Sequence, residues 1–574
     1  MVQGLKYLWL LPNYEQRTIT ELALACQLSF PVAQALYTRG FRDKADIERF
    51  LFCTYERDVA HASLLKDARR AVDRILLAIE RGEKILVFGD YDVDGITSSA
   101  LMMLCLPALG AKINFCLPNR KRDGYGLANK FVQQAAKSGY RLIVTVDNGI
   151  TAFEPAALAK ELGIDLIITD HHRAHSHVPD AYAIVNPNQV DCQYPNKFLA
   201  GVGVTFKILT LIYELKGLEL PHKVYELLML GTIADVVPLV GENRFWVQYG
   251  LHISNKMQSL AFQVLKQNGK VDKPVLTATD VGFSLTPQIN ALGRLEDPRE
   301  GVQFLIDSNL AEVQRVGTIL CELNQARRLT EQTIINEIEE RIKAGEIDLN
   351  SEKILIFGSH NWPTGVIGLV ASRLVGKYNR PVILFHFTEN GIAKGSCRSI
   401  PEFNIFEALA QCKDLIEQFG GHAQAAGLAV KISNLKSLKQ ELEILISAQL
   451  TEFDLKPKIS IDATATLPDF GHKLMHDLAL LEPFGHQNPC PLFLVKDVVQ
   501  VQAPQLMKEL HVKLNVFCDG VVKPVMFFYR PELYPLFVKQ ADQKFSLVVQ
   551  AAENHWQGRV NIELIGMDAA GLMT

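Results

Sequence analysis

The sequence predicts an α/β protein: two α/β lobes joined by a long helix, with a helical segment before them and an OB-fold-like β-barrel after them. Three observations predict it. From residue 84 to about 239, apolar strand-length runs alternate with helical patterns, which implies βαβ units and a parallel sheet. Residues 311–345 carry one long helical pattern. After residue 456, short runs rich in Val, Phe and Leu alternate with Gly, Pro and Asn turns, the texture of a small barrel.

Composition bounds what such a chain can be. Its 574 residues suffice for about four domains, and 48% hydrophobic with 21% charged residues is ordinary for a globular protein. A net charge of −4 gives no global attraction to nucleic acid, so a nucleic-acid partner would need a local basic groove. The 10 cysteines include no C-x-x-C pair, which argues against a structural zinc site and a disulfide framework and fits a reducing cytoplasm. The apolar stretch 100–111 is interrupted by Pro107 and the stretch 7–11 is short, so neither a membrane span nor a signal peptide is expected.

Taken in order, residues 1–80 read as a mixed helical region whose last part, 63–81, is amphipathic. Residues 84–88 are a buried strand, and a small apolar helix is expected over 96–106. Between them stands Gly89-Asp90-Tyr91-Asp92-Val93-Asp94-Gly95. Three like charges within five residues repel unless a cation holds them, and hard divalent ions take carboxylate oxygen. The pattern also opens an EF-hand loop, but Leu101 stands where that loop needs Glu, and a strand precedes where a helix should.

A second strand over 111–117 leads into a loop with three cations, Arg120, Lys121 and Arg122, which suits phosphate or a solvated turn. The third strand, 142–146, ends in Asp147-Asn148-Gly149, and the fourth, 166–169, ends in Asp170-His171-His172. In a parallel sheet these acidic strand ends share one edge, where ligands bind. Carboxylates buried there without a cation would have to be protonated or paired. The histidines add nitrogen ligands, which suit Mn²⁺, Fe²⁺ or Zn²⁺ better than Ca²⁺. His175 and His177 read as solvated surface residues. Helical runs follow from Leu199-Ala200-Gly201-Val202-Gly203 and over 224–233, the latter ending Gly231-Thr232-Ile233-Ala234-Asp235.

Taken together, the Gly89–Gly95 motif, Asp147-Asn148-Gly149, Asp170-His171-His172 and Gly231–Asp235 resemble, in order and spacing, the DHH phosphoesterase superfamily. Gly395-Ser396-Cys397-Arg398-Ser399 and the Gly-rich run 419–427 resemble that superfamily's associated domain. Nearly end to end the chain is similar to the superfamily's bacterial single-strand-specific 5′→3′ exonucleases, through Pro118-Asn119-Arg120, Gly124-Tyr125-Gly126, Leu481-Glu482-Pro483-Phe484-Gly485 and Glu553–Gly558. The resemblance implies that Asp90, Asp92, Asp94, Asp147, His171, His172 and Asp235 gather around two divalent cations, Mn²⁺ or Mg²⁺. It implies Asp94, Asp147 and His172 as catalytic, with Asp147 bridging the ions and His172 either stabilising the scissile phosphate or acting as a plain ligand. It points to Arg120, Arg294, Ser396, Arg398 and His422 as phosphate or DNA contacts. Two departures stand out: Gln288 occupies a position where many relatives carry Arg, and His486 follows Phe484-Gly485 where a second Gly is usual.

In the second half, 353–357, 366–378 and 381–387 read as strand, helix and strand, and 395–399 as a strand or its end carrying a hydroxyl and a guanidinium. Five barrel strands are expected near 491–495, 511–517, 525–529, 545–551 and 559–565. There Lys508, His511, Lys513, Trp556 and Arg559 could supply charge and stacking for a single strand.

The expected organisation is a helical region over 1–80, a DHH catalytic domain over 81–265, a helical linker over 266–345, a DHH-associated domain over 346–450 and the barrel over 456–574. The implied activity is metal-dependent 5′→3′ hydrolysis of single-stranded DNA to 5′-mononucleotides in DNA repair and recombination. The implied setting is a cytoplasmic monomer partnered by single-strand-binding protein and RecQ-type helicases, with no membrane. The rival readings are a nano-RNA or cyclic-dinucleotide phosphodiesterase of the same superfamily, which the C-terminal barrel argues against, and a non-catalytic DNA-binding scaffold, which the intact acidic motifs argue against.

Overall fold

The computed structural model describes every residue except 121, 350, 540–542, 557–558 and 572–574, and the side chains at 555, 556, 559 and 560 also fall outside the description. The chain forms two compact units. One comprises Phe52–Arg327 and Glu482–Pro489; the other comprises Met1–Leu51, Arg328–Leu481 and Cys490–Thr574. Among the described residues no single helix is long and apolar enough to cross a membrane.

The first unit is built on a five-stranded sheet of β1 (Lys84–Phe88), β2 (Lys112–Cys116), β3 (Tyr140–Val146), β4 (Asp165–Thr169) and β5 (Ala183–Val185), in the order β2-β1-β3-β4-β5. Every neighbouring pair is parallel. The central strands read as unbroken apolar runs because both faces are covered. Ile85, Val87, Leu142 and Val144 pack into one core, while Leu86, Phe88 and Ile143 pack into the other. The three-residue β5 was too short to stand out in the sequence. Helices α1 (Val93–Cys105), α2 (Gly201–Lys216) and α3 (Lys223–Ala234) share the first core. Their close approach needs small residues: a Cβ at Gly231 would lie 2.4 Å from Thr97 Oγ1.

Helix α4 (Leu310–Lys343) carries the chain from this unit into the other. Val313, Val316, Leu320, Ile334 and Ile338 line its buried side. That pattern is the spacing that predicted a helix over 311–345.

In the second unit, β6 (Leu355–Ser359), β7 (Val382–Phe387), β8 (Ile392–Arg398), β9 (Gln418–His422) and β10 (Ala425–Lys431) form a sheet in the order β9-β10-β8-β7-β6. Within it β6 and β7 pair in parallel, across the connecting helix Thr364–Tyr378, and the other pairs are antiparallel. The C-terminal strands Phe493–Gln500, Phe545–Trp556, Arg559–Ala570, Val521–Phe527 and His511–Cys518 pair in that order, and the last returns to the first, closing a five-stranded barrel. Closure removes the exposed edges that an open sheet would present, with Val521–Phe527 and Arg559–Ala570 pairing in parallel and the other barrel pairs antiparallel.

The region read as one helical piece over 1–80 divides between the two units after Leu51. It opens with two strands, and Leu8–Leu10 lies parallel to Lys458–Ser460. The anchor is Trp9: its ring is buried, and its indole N–H donates to Asp568 Oδ2 at 2.9 Å. A buried indole needs both apolar cover and an acceptor, and the barrel supplies both.

Candidate metal centre

The strand order places the topological switch between β1 and β3, where ligands bind beyond the carboxyl ends of the strands. The chain puts its carboxylates there. Asp90 leaves β1, and Asp92 caps α1 by accepting from the Gly95 N–H at 3.1 Å. Asp94 sits in the first turn of α1, one turn earlier than a helix over 96–106 would start. Asp147 leaves β3, Asp170, His171 and His172 leave β4, and Asp235 ends α3.

Several backbone devices hold them. Asp94 accepts from the Gly201 and Val202 N–H groups at 2.6 and 2.7 Å, at the positive end of α2. Gly201 also faces Asp147, and a Cβ there would meet Asp147 Cβ at 2.5 Å. Asp147 itself has φ 62°, a left-handed conformation rare outside Gly, Asn and Asp. Gly95 packs so closely on the Asp90 backbone that a Cβ would approach it to 2.5 Å.

The result is three overlapping groups of potential ligands: Asp90, Asp92 and Asp147; Asp94, His171 and Asp235; and Asp147, His171 and His172. Within each group the ligand atoms lie within 4.8 Å of one another, and together the groups contain all seven residues of the expected ligand set. Asp90, Asp94 and Asp147 are 3%, 1% and 2% exposed, so water cannot screen their charges. Burial first, and neighbouring carboxylates second, push Asp90, Asp147 and Asp235 well above the usual carboxylate range and Asp94 up to about 7.

The imidazole set among these acids does not supply the missing positive charge. His171 Nε2 lies 3.2 Å from Asp147 Oδ1, 3.6 Å from Asp235 Oδ2 and 3.8 Å from Asp94 Oδ2. Burial and the charge on His172 lower its pKa to about 4, so it is a neutral imidazole, the form that ligates metal. Among the described residues, Asp90 Oδ1, Asp147 Oδ1 and His171 Nε2 are buried without a hydrogen-bond partner. Orphaned acceptors converging at this spacing fit a divalent cation.

His172 is different. Its Nδ1 lies 2.7 Å from Asp170 Oδ1, and Asp170 also accepts from the Ile150, His171 and His172 N–H groups. Against burial, which lowers it, this bond and the surrounding carboxylates push the His172 pKa up to about 9. Asp170 belongs to the same strand-end motif but not to the expected ligand set; its position just before the histidine pair was the available signal for its role. Tyr125 was missed as well: its hydroxyl lies 3.4 Å from both ring nitrogens of His172.

The expected phosphate contacts are distributed over both units. In the first, Arg120 is exposed and stacks over the Tyr91 ring at 5.3 Å. Arg294 bears electrostatically on the same Tyr91. Lys121 lies outside the described residues. Gln288 is buried and donates to the Leu265 and Ser284 carbonyls at 2.9 and 2.7 Å, so it is a packing residue here. After Gly485, the His486 carbonyl accepts from the Leu239 N–H at 2.9 Å, and its side chain is exposed. In the second unit, Ser396 and Arg398 are two residues apart on β8, and Arg398 Nη1 donates to Ser396 Oγ at 3.3 Å while its Nε donates to Ser372 Oγ at 3.1 Å. His422 is exposed at the end of β9. In the barrel, Lys508 is exposed and His511 packs against Phe528 and Tyr529; the side chains of Trp556 and Arg559 fall outside the description.

Comparison with known sequences agrees with this geometry. Residues 84–232 match the DHH family N-terminal domain, 351–448 the DHHA1 domain and 461–568 the RecJ OB domain. The single-stranded-DNA-specific exonuclease RecJ of Bacillus subtilis is 35% identical over 567 residues, 98% of this chain and 71% of that one. The chain belongs to the RecJ family. RecJ of Thermus thermophilus in complex with Mn²⁺ superposes with a TM-score of 0.84 at 27% identity, covering 99% of this chain and 80% of that one. The same RecJ in complex with Mg²⁺ gives 0.76 at 26% identity, over 98% and 78%. Both solved RecJ structures thus hold a divalent ion of the class that the acidic and histidine groups here could hold.

Proposed function

We propose that the protein hydrolyses single-stranded DNA from the 5′ end and releases 5′-mononucleotides. The observation that carries this reading is the convergence of seven acidic and imidazole side chains, with Asp90, Asp94 and Asp147 buried, at the switch point of a RecJ-family lobe. Asp90, Asp92, Asp94, Asp147, His171 and Asp235 would hold two cations, Mn²⁺ or Mg²⁺, with Asp147 common to both, while His172, protonated on both ring nitrogens, stands beside them for the phosphate. Bound there, such ions supply positive charge for the phosphate and the departing oxygen, and lower the pKa of a water at neutral pH.

The chain's own residues set the rest. The α2 amides fix Asp94, and the neutral His171 offers a lone pair. Asp170 keeps a proton on His172, whose second N–H can donate to a phosphate oxygen. Arg120, Arg294, Ser396, Arg398 and His422 are assigned to the 5′-phosphate and the strand, which would make the enzyme count one nucleotide from the end. The barrel is assigned to longer single strands. Cytoplasmic placement and partnership with single-strand-binding protein and RecQ-type helicases rest on the family resemblance.

The test is a single-stranded oligonucleotide labelled at its 5′-terminal nucleotide, with a short RNA alongside. The reading expects Mn²⁺-dependent release of labelled mononucleotide from DNA as the first product. Release of oligomers first, or preferential hydrolysis of the short RNA, would refute it.

A further inference from the structure

Beside the metal cluster the first unit has a second recess that none of the assigned residues uses. It is a cavity of about 570 Å³, lined among others by Tyr125, Asn129, Gly149, Thr151, Phe153 and Glu154. Two of its walls belong to the cluster's own loops. Tyr125 touches His172, and Gly149 follows Asp147 by two residues. Anything bound in the cavity therefore lies against the loops that carry His172 and Asp147.

Its chemistry is that of a planar, apolar-faced ligand with a polar edge. The rings of Tyr125 and Phe153 supply stacking surface. The exposed Glu154 carboxylate stands at the cavity's edge, 3.5 Å from Asn129 Nδ2, and is matched by the exocyclic amine of a nucleobase. Helices Asn129–Lys137 and Phe153–Glu161 begin at the cavity without a side-chain cap; the Phe131 and Phe153 N–H groups bond the Ala128 and Thr151 carbonyls and Pro155 has none, which leaves the Asn129, Lys130 and Glu154 N–H groups for base carbonyls. Glu154 makes the cavity unsuitable for a second phosphate. Its size falls within the range of small-molecule sites.

We infer that this cavity receives the base of a nucleotide adjoining the scissile phosphate, and so positions the chain through a base as well as through its 5′ end. The inference rests on the hydrolytic reading of the neighbouring cluster.

The experiment places one abasic residue at the first, second or third position of an otherwise identical 5′-phosphorylated oligonucleotide. The wild type should be slowed about tenfold at one of these positions, the scale of one lost base–aromatic stack. Phe153→Ala should lose that penalty, and so should Thr151→Trp, which fills the cavity from an exposed position. Binding of the same oligonucleotides with Ca²⁺ replacing Mn²⁺ reads the contact without cleavage. If no DNA were cleaved, the hydrolytic reading would fail while the binding ratios still decided the cavity. No abasic penalty in the wild type, or the same penalty in both variants, would overturn the inference.

Discussion

His172 Nδ1 and Asp170 Oδ1 lie 2.7 Å apart beside the carboxylate cluster, the aspartate buried and the imidazole partly exposed. Asp170 is the anion that keeps His172 protonated. Asp170→Asn should lower turnover by roughly 10- to 100-fold, the scale for groups that orient a metal-site residue. The pH profile should change as well. With its pKa held at about 9, wild-type His172 keeps its proton through neutral pH, and in the variant the alkaline loss of activity should move down toward 6.5. An unchanged alkaline limb would show that the protonation of His172 is not used.

Gly201 is where α2 meets the cluster. A methyl group there would sit 2.5 Å from Asp147 Cβ and 2.6 Å from Asp147 Oδ1. Gly201→Ala should cost about 1–3 kcal/mol of stability from overpacking. The larger effect should be on activity, through displacement of Asp147 and of the amides that hold Asp94. Kinetics with a Mn²⁺ titration, alongside thermal unfolding, check this; a stable variant with wild-type turnover at low Mn²⁺ would contradict it.

The positions of the acids were legible in the sequence because strand ends are local features: Phe88, Val146 and Thr169 close apolar runs, and an acidic motif follows each. What held them was not legible. Asp94 is fixed by amides 107 and 108 residues away, a pairing with no local trace. The left-handed backbone at Asp147 and the role of Asp170 arise from the packing of one loop on another. Gln288 shows the converse. Its departure from the family pattern, where many relatives carry Arg, says nothing of its surroundings, in which the buried side chain donates to the Leu265 and Ser284 carbonyls.

Away from the site, Glu226 is buried against Ser259, and burial raises its pKa from 4.5 to about 7 despite two hydrogen bonds from that serine. An acid raised on folding stabilises the native state below its unfolded pKa, and that contribution is lost as pH rises through the folded value. Glu226 should therefore take about 3 kcal/mol from the wild type's stability between about pH 4.5 and pH 8, in addition to what the buried acids of the metal centre take. Glu226→Gln should flatten this slope and be the more stable protein at pH 8. Parallel pH dependences in denaturant unfolding would rule the account out.

Arg398 is tethered to Ser372 and Ser396 on an associated-domain strand. If it holds the 5′-phosphate, Arg398→Ala should reduce the preference for a 5′-phosphate over a 5′-hydroxyl end by roughly 1.5–3 kcal/mol, with Mn²⁺ affinity unchanged. The rate ratio for the two ends, measured at one salt concentration, checks this. A ratio equal to that of the wild type would place the anchor elsewhere.

The central claim is that the buried acids form one divalent-metal centre with Asp147 common to both ions. Calorimetric titration of Mn²⁺ into the wild type and Asp147→Asn tests it most directly, because asparagine tolerates the left-handed backbone and keeps the shape of the side chain. The account expects two Mn²⁺ per chain for the wild type and loss of high-affinity binding at both sites in the variant. Identical isotherms for the two proteins, or no Mn²⁺ binding by the wild type, would contradict it.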